Sequence, residues 1–222
     1  MKNTKGKSLL IILLVLPVLL FFMWRQAKTS FTPLPIMGET EMDGSFTPHT
    51  IRDFTLTDHT NTPINLATFN DQILIANFFY ATCPDVCPAM NNNLRLVVEK
   101  FKNNPDVAFL STTVNPDHDS IEVLAEYGGK YAYADDKWRF ATGSMREIYD
   151  LGTAYYRLAA ARPDGAVDFI HSSVVVLVDK KHQIRGYYES NQNPKFATEL
   201  INGIKTLLGE YYLEEGEAKG DK

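Results

Sequence analysis

Ile73 to Tyr80 is a nearly continuous apolar run interrupted by Asn77. It is too short for a typical helix and has the composition of a central strand covered on both faces. A strand of that kind needs layers on both sides of its sheet, which points to an α/β architecture. The pattern then changes period. Met90, Leu94, Val97, Val98 and Phe101 follow i, i+4, i+7, i+8 and i+11, one face of an amphipathic helix that Asn103, Asn104 and Pro105 terminate.

The same reading extends along the chain. Val107–Val114 is a second buried-type strand, Ser120–Tyr127 a short helix before Gly128 and Gly129, Trp138–Thr142 a strand, and Ser144–Tyr156 a helix. Ile51–Thr57 leads through the turn-forming Asp58 to Asn61 into Pro63–Phe69 as a hairpin. Ser172–Val178 and Gln183–Tyr188 form a second hairpin around Asp179 to His182, and Pro194–Tyr212 closes the domain as a helix. Alternating strands and helices predict parallel central strands, and the hairpins make the sheet mixed.

Ahead of this domain, Lys2, Lys5 and Lys7 precede a stretch from Ser8 to Trp24 without a charge, long enough to span the hydrocarbon of a bilayer. No small-residue cleavage site follows it, so an uncleaved transmembrane helix is expected over a cleaved signal peptide. The lysines place the N-terminus inside and the remaining chain on the periplasmic or equivalent extracytoplasmic side. The expected organisation is an anchor over 1–28, a Pro- and Gly-containing linker over 29–49, one domain over 50–212 and a polar tail over 213–222. Residues 1–28 hold five of the 22 basic residues and no acidic one, leaving 17 basic against 27 acidic. That balance of −10 argues against nucleic acid as a partner.

Cys83 and Cys87 are the only cysteines in the sequence, and they sit between the buried strand and the helix, at the carboxyl end of a strand where α/β folds place their chemistry. Each precedes a proline, which predicts that neither lies inside a helix, with Cys87 as the cap and Pro88 in the first helical position. A sulfur at a helix N-terminus meets unpaired N–H groups, so at least one cysteine is expected to be unusually acidic. A purely structural disulfide would close so small a ring that it stabilises by only ~2 kcal/mol before strain. The pair therefore reads as redox-active or metal-binding, with Cu(I) favoured by two soft thiolates and zinc also compatible.

Among five histidines, His49, His59, His118 and His182 lie in linker, turn or loop surroundings. His171, between Phe169–Ile170 and a predicted strand, is expected at a partly buried strand end, as a metal ligand or as a packed core histidine.

The string from Ala76 through Asn77, Phe78, Phe79, Tyr80, Ala81, Thr82, Cys83, Pro84, Asp85, Val86 and Cys87 to Pro88 closely resembles the signature of the Sco (SenC-type) copper proteins. Three further segments match in order: Val114 to Asp119, Trp138 to Gly143, and His171-Ser172-Ser173 leading into a strand. The resemblance covers about Thr50 to Tyr212 and the anchor. It implies a thioredoxin-like fold in which Cys83, Cys87 and His171 bind one copper ion, Cu(I) or Cu(II). It also implies a metallochaperone that assists assembly of the copper site of cytochrome c oxidase. The expected partners are the copper-site subunit of a respiratory oxidase and a copper donor or thiol reductant protein. The alternative is a thiol–disulfide oxidoreductase acting on protein cysteines. The family often has Asp where Asn115 and Ile170 stand here, so Asp168 or a backbone carbonyl is the candidate to orient His171.

Overall fold

The computed structural model describes residues 13–23, 32–40, 42–131, 137–156 and 173–220. It divides into two units, Met1–Pro33 and Leu34–Lys222. In the first, residues 13–23 form helix α1 with exposed apolar side chains. No helix among the described residues is long and apolar enough to cross a membrane, and part of the expected span lies outside them.

The second unit begins with a short antiparallel pair, β1 (Gly38–Thr40) and β2 (Phe46–Pro48). Seven strands then make one mixed sheet. In chain order they are β3 (Thr55–Asp58), β4 (Pro63–Asn65), β5 (Ile73–Phe79), β6 (Val107–Thr113), β7 (Trp138–Thr142), β8 (Val174–Val178) and β9 (Ile184–Glu189). Their order across the sheet is β4-β3-β7-β6-β5-β8-β9. β5, β6 and β7 are parallel, while β8, β9, β3 and β4 are paired antiparallel. Helices α2 (Val86–Phe101), α3 (Ile121–Gly129), α4 (Met145–Asp150) and α5 (Phe196–Gly220) complete the fold.

The apolar run of β5 is explained by two cores. Ile73, Ile75 and Phe79 pack with Leu94, Val97 and Phe101 of α2 and Leu200 and Ile204 of α5. The alternate residues Leu74, Ala76 and Phe78 pack with Ile148 and Tyr156 across the sheet. Every residue of β5 and β6 is buried, as expected for strands covered on both faces.

Four local readings are corrected. β4 stops at Asn65, and Leu66–Phe69 form a 3-10 turn because the Asn65 side chain caps it by accepting from the Thr68 N–H at 3.2 Å. The helix expected over Ser144–Tyr156 is α4 followed by a π-helical turn, Leu151–Tyr155, closed by the Tyr156 N–H on the Leu151 carbonyl at 2.8 Å. α5 continues past Tyr212 through the stretch read as polar tail, where Lys181 Nζ lies 3.5 Å from Glu214. The segment read as linker is bound to the domain from Leu34 onward.

That last contact is made by one buried arginine. Arg185 donates to the Leu34 carbonyl at 2.6 Å and the Pro35 carbonyl at 3.1 Å. It also pairs with Asp179 at 3.0 Å and Glu210 at 2.6 Å. The Met37 N–H reaches the Ile184 carbonyl at 2.9 Å, and the Leu34 N–H reaches Glu210 at 2.7 Å. A segment rich in proline and short of apolar period looks like linker in sequence, and here partners distant in sequence satisfy its backbone groups instead.

Candidate functional site

The register of the sheet determines what meets the cysteines. β8 runs antiparallel to β5, with Ala76 opposite Val176 and Leu74 opposite Val178, so the start of β8 lies at the carboxyl end of β5. β9 pairs Glu189 with Val174, bringing the end of β9 to the same edge. The cysteine loop, the entry to β8 and the exit from β9 thus converge. The strand-end position expected for Cys83 and Cys87 is observed.

The two sulfurs differ. Cys83 is partly exposed and precedes the helix, and its N–H donates to the Tyr80 carbonyl at 3.2 Å. Cys87 is 4% exposed and sits against Phe79, Met90 and Tyr127. The expectation that neither cysteine is helical is corrected for Cys87. α2 starts at Val86 with Asp85 as its cap, which places Cys87 and Pro88 in the first turn. Proline is tolerated there because first-turn N–H groups have no intrahelical partner to lose. The Asp85 side chain makes no capping hydrogen bond, and Cys83 Sγ takes that role by accepting the Cys87 N–H at 3.3 Å.

This geometry separates their acidities. Burial acts to raise the Cys83 pKa, but hydrogen bonds from the Cys87 thiol, the Cys87 and Asp85 backbone and the Tyr80 hydroxyl outweigh it and hold it below the ordinary thiol value. Burial pushes Cys87 up to about 12, reinforced by its hydrogen bond to Cys83 and by the nearby negative charges of Cys83 and Asp119. The hydrogen bond to Cys83 is also the main cause of a raised Tyr80 pKa. The acidic cysteine expected from the sequence is therefore Cys83, a nucleophile beside a buried neutral thiol.

Asp119 supports the loop from behind and was passed over in the sequence, where it reads as one of two acids flanking a surface histidine. It is fully buried, accepts the Ala81 N–H at 2.9 Å and accepts the Thr113 hydroxyl. Its other oxygen, Oδ1, has no partner. The available signal was its place in the Val114–Asp119 segment, but only folding shows that this carboxylate turns inward while Asp117 and His118 stay exposed.

His171, Ile170 and Asp168 lie outside the described residues. Ser173 is the nearest described residue after them. Its carbonyl accepts the Ser190 N–H at 3.0 Å and its hydroxyl donates to Glu189. Among the described residues no group of three or more His, Cys, Asp or Glu side chains could hold a metal ion. Cys83 and Cys87 supply two soft donors, which suit Cu(I), and a third donor has to come from elsewhere. Of the other histidines, His118 is exposed, while His59 accepts the Phe140 N–H at 3.2 Å and packs edge-on to that ring.

The SCO1/SenC family model matches residues 42–206. The chain belongs to the SCO1/SenC family. Among curated relatives, the SCO1 protein homolog of Bacillus subtilis (strain 168) is 25% identical over 158 residues, covering 70% of this chain and 81% of the relative. A SCO1/SenC family lipoprotein from Bacillus anthracis superposes with a TM-score of 0.62 at 24% identity, over 72% of this chain and 95% of its own. BsSco, described as a Sco-family cytochrome c oxidase assembly protein with a disulfide switch, gives 0.61 at 24%, over 72% and 93%. Arabidopsis thaliana ScoI with copper bound gives 0.57 at 24%, over 72% and 99%. The mixed sheet with helices on both faces is the thioredoxin-like Sco fold.

Proposed function

We propose that this protein is a membrane-anchored, extracytoplasmic copper metallochaperone that holds one copper ion through Cys83, Cys87 and His171. Its recipient is the copper-site subunit of a respiratory oxidase, and a copper donor or thiol reductant protein loads or resets it. The observation that carries the reading is the pair of unlike sulfurs beyond the carboxyl end of β5, at the end of the sheet where the chain enters β8 three residues after His171. Relatives described as copper-bound and as oxidase assembly proteins support it.

The residues divide the work. Cys83, acidic and accessible, offers a thiolate that an incoming ligand can reach. Cys87, buried and protonated in the free protein, must give up its proton when the metal enters, which makes loading pH-dependent. His171 completes a trigonal set suited to Cu(I) and supplies the harder donor that Cu(II) favours. A Cys83–Cys87 disulfide removes both thiolates, so redox state gates delivery.

The test is anaerobic titration of the reduced protein with Cu(I) against a competing chelator, for wild type and His171→Ala. One-to-one binding that weakens about tenfold or more in the variant is expected. Binding indifferent to His171 would remove that ligand from the proposal. The anchor over 1–28 is checked separately by resistance to alkaline extraction from membranes.

The asymmetry of the pair also favours a second reading, a thiol–disulfide oxidoreductase. An acidic, partly exposed Cys83 would attack a partner disulfide and Cys87 would resolve the mixed species. Disulfide reduction that survives His171→Ala, in a protein whose copper binding is weak, would select it.

A further inference from the structure

Asp119 carries a buried charge that the fold leaves half matched. It is fully buried in the β6–α3 connection, and none of the ion pairs among the described residues includes it. The turn that places it is closely bonded. The Asp119 N–H donates to the Asn115 carbonyl at 2.9 Å, the Asn115 N–H donates to the Thr113 hydroxyl oxygen at 3.0 Å, and that hydroxyl donates to Asp119 Oδ2. Thr113 ends β6 opposite Phe79, and the Val114 N–H reaches the Phe79 carbonyl at 2.8 Å, so the turn lies beside the residues that lead into the cysteine loop. Oδ2 also accepts the N–H of Ala81, two residues before Cys83, at 2.9 Å. Oδ1 has no partner.

Two neutral donors on one oxygen leave most of a carboxylate's charge uncompensated, and buried charges in folded proteins are ordinarily paired with a cation or bound to a metal. Asp119 is not placed as a ligand, since among the described residues no three His, Cys, Asp or Glu side chains gather to hold an ion. Its field does reach the pair, because its negative charge is among those that act on Cys87. A cation held by Cys83 and Cys87 therefore enters that field, where Phe79, Met90 and Tyr127 pack around Cys87 and water screens little. The energy scales with the charge of the ion, so the field favours a divalent ion over a monovalent one on the same two sulfurs.

We propose that Asp119 is the buried counter-charge of the metal site, a positioning residue that acts on the bound ion through its field and biases the cysteine pair toward Cu(II) relative to Cu(I). The proposal rests on the copper-binding reading. Two soft thiolates favour Cu(I), and a fixed negative charge offsets that preference, so that one site holds the ion in either oxidation state.

The test uses Ag(I) and Cd(II), redox-inert ions that bind thiolates and differ by one charge. Each is titrated anaerobically against a competing chelator into the reduced full chain in detergent micelles, for wild type, Asp119→Asn and Asp119→Ala. Both variants are expected to lower the ratio of Cd(II) to Ag(I) affinity about tenfold. The same factor between Cu(II) and Cu(I) raises the one-electron potential of the variants by about 59 mV. The ratio cancels the thiol protons that either ion displaces, and it cancels a loosened loop, which weakens both ions alike. Asn keeps an oxygen for the Ala81 N–H and the Thr113 hydroxyl and Ala does not, so equal ratio shifts in two variants of unequal stability identify the charge as the cause. Asp117→Asn, which removes an exposed acid two residues away, is the control and is expected to leave the ratio unchanged because water and salt screen it. An unchanged ratio in Asp119→Asn, or a shift in Asp119→Ala alone, overturns the counter-charge and leaves Cys83 and Cys87 as the metal site. A wild type that binds neither ion overturns the copper reading together with it.

Discussion

Selective alkylation of the reduced, copper-free protein tests the unequal environments of the two cysteines directly. A thiol with pKa about 12, as for Cys87, is ionised in about 10⁻⁵ of molecules at pH 7, against about 10⁻² at the ordinary value of 9.0. The thiolate fraction thus falls about a thousandfold. The more basic thiolate is intrinsically more nucleophilic, and a Brønsted coefficient of about 0.4–0.5 returns roughly a factor of 20. Iodoacetamide should therefore modify Cys87 roughly 50-fold more slowly than an ordinary thiol, before its 4% exposure slows it further. Cys83 should be modified first, with a rate that falls as pH drops through an inflection below the ordinary thiol pKa. Because the Tyr80 hydroxyl is one of the groups that stabilise the Cys83 thiolate, Tyr80→Phe should move that inflection upward. Quenched time points and peptide mass mapping give both rates. Comparable labelling of the two cysteines, or a Cys83 profile inflecting above the ordinary thiol value, would refute the assignment of Cys83 as the acidic nucleophile.

Two stability predictions follow from buried groups outside the pair. Arg185→Leu leaves Asp179 and Glu210 without their shared cation and frees the Leu34 and Pro35 carbonyls, so a loss of about 3–5 kcal/mol is expected in urea unfolding. Arg185→Lys should recover only part of it, because an ammonium cannot span the same fork of acceptors. Asp119→Ala strips the acceptor from the Ala81 N–H and the Thr113 hydroxyl, for a cost of about 2–3 kcal/mol in the reduced protein. Asp119→Asn keeps an oxygen there and should cost less; equal losses in the two variants would show that the acceptor is not what stabilises the loop.

Much of the route to the site was legible in the residues themselves. Strand and helix differ in period, so β5, the cysteine loop and α2 could be read in order, and covalent sequence alone places Cys83 and Cys87 at a strand's carboxyl end. The anchor and His171 were likewise proposed from local composition and motif. Other features depend on neighbours far along the chain. Pre-proline preference alone put Cys87 outside the helix, but an acceptor four residues earlier, Cys83 Sγ, allows α2 to begin before it. Residues from Leu34 look like linker until Arg185, about 150 positions later, satisfies their carbonyls.

The sequence by itself determined which side chains this protein has for chemistry and where along a strand–loop–helix unit they fall, because hydrophobic period and chain order are local properties. Only the tertiary structure decided which cysteine ionises, that Asp119 turns inward, and that Ser190 is buried with its N–H on the Ser173 carbonyl. Burial, hydrogen bonding and nearby charge are sums over groups that folding brings together from β5, α2, the β6–α3 connection and the β9–α5 connection.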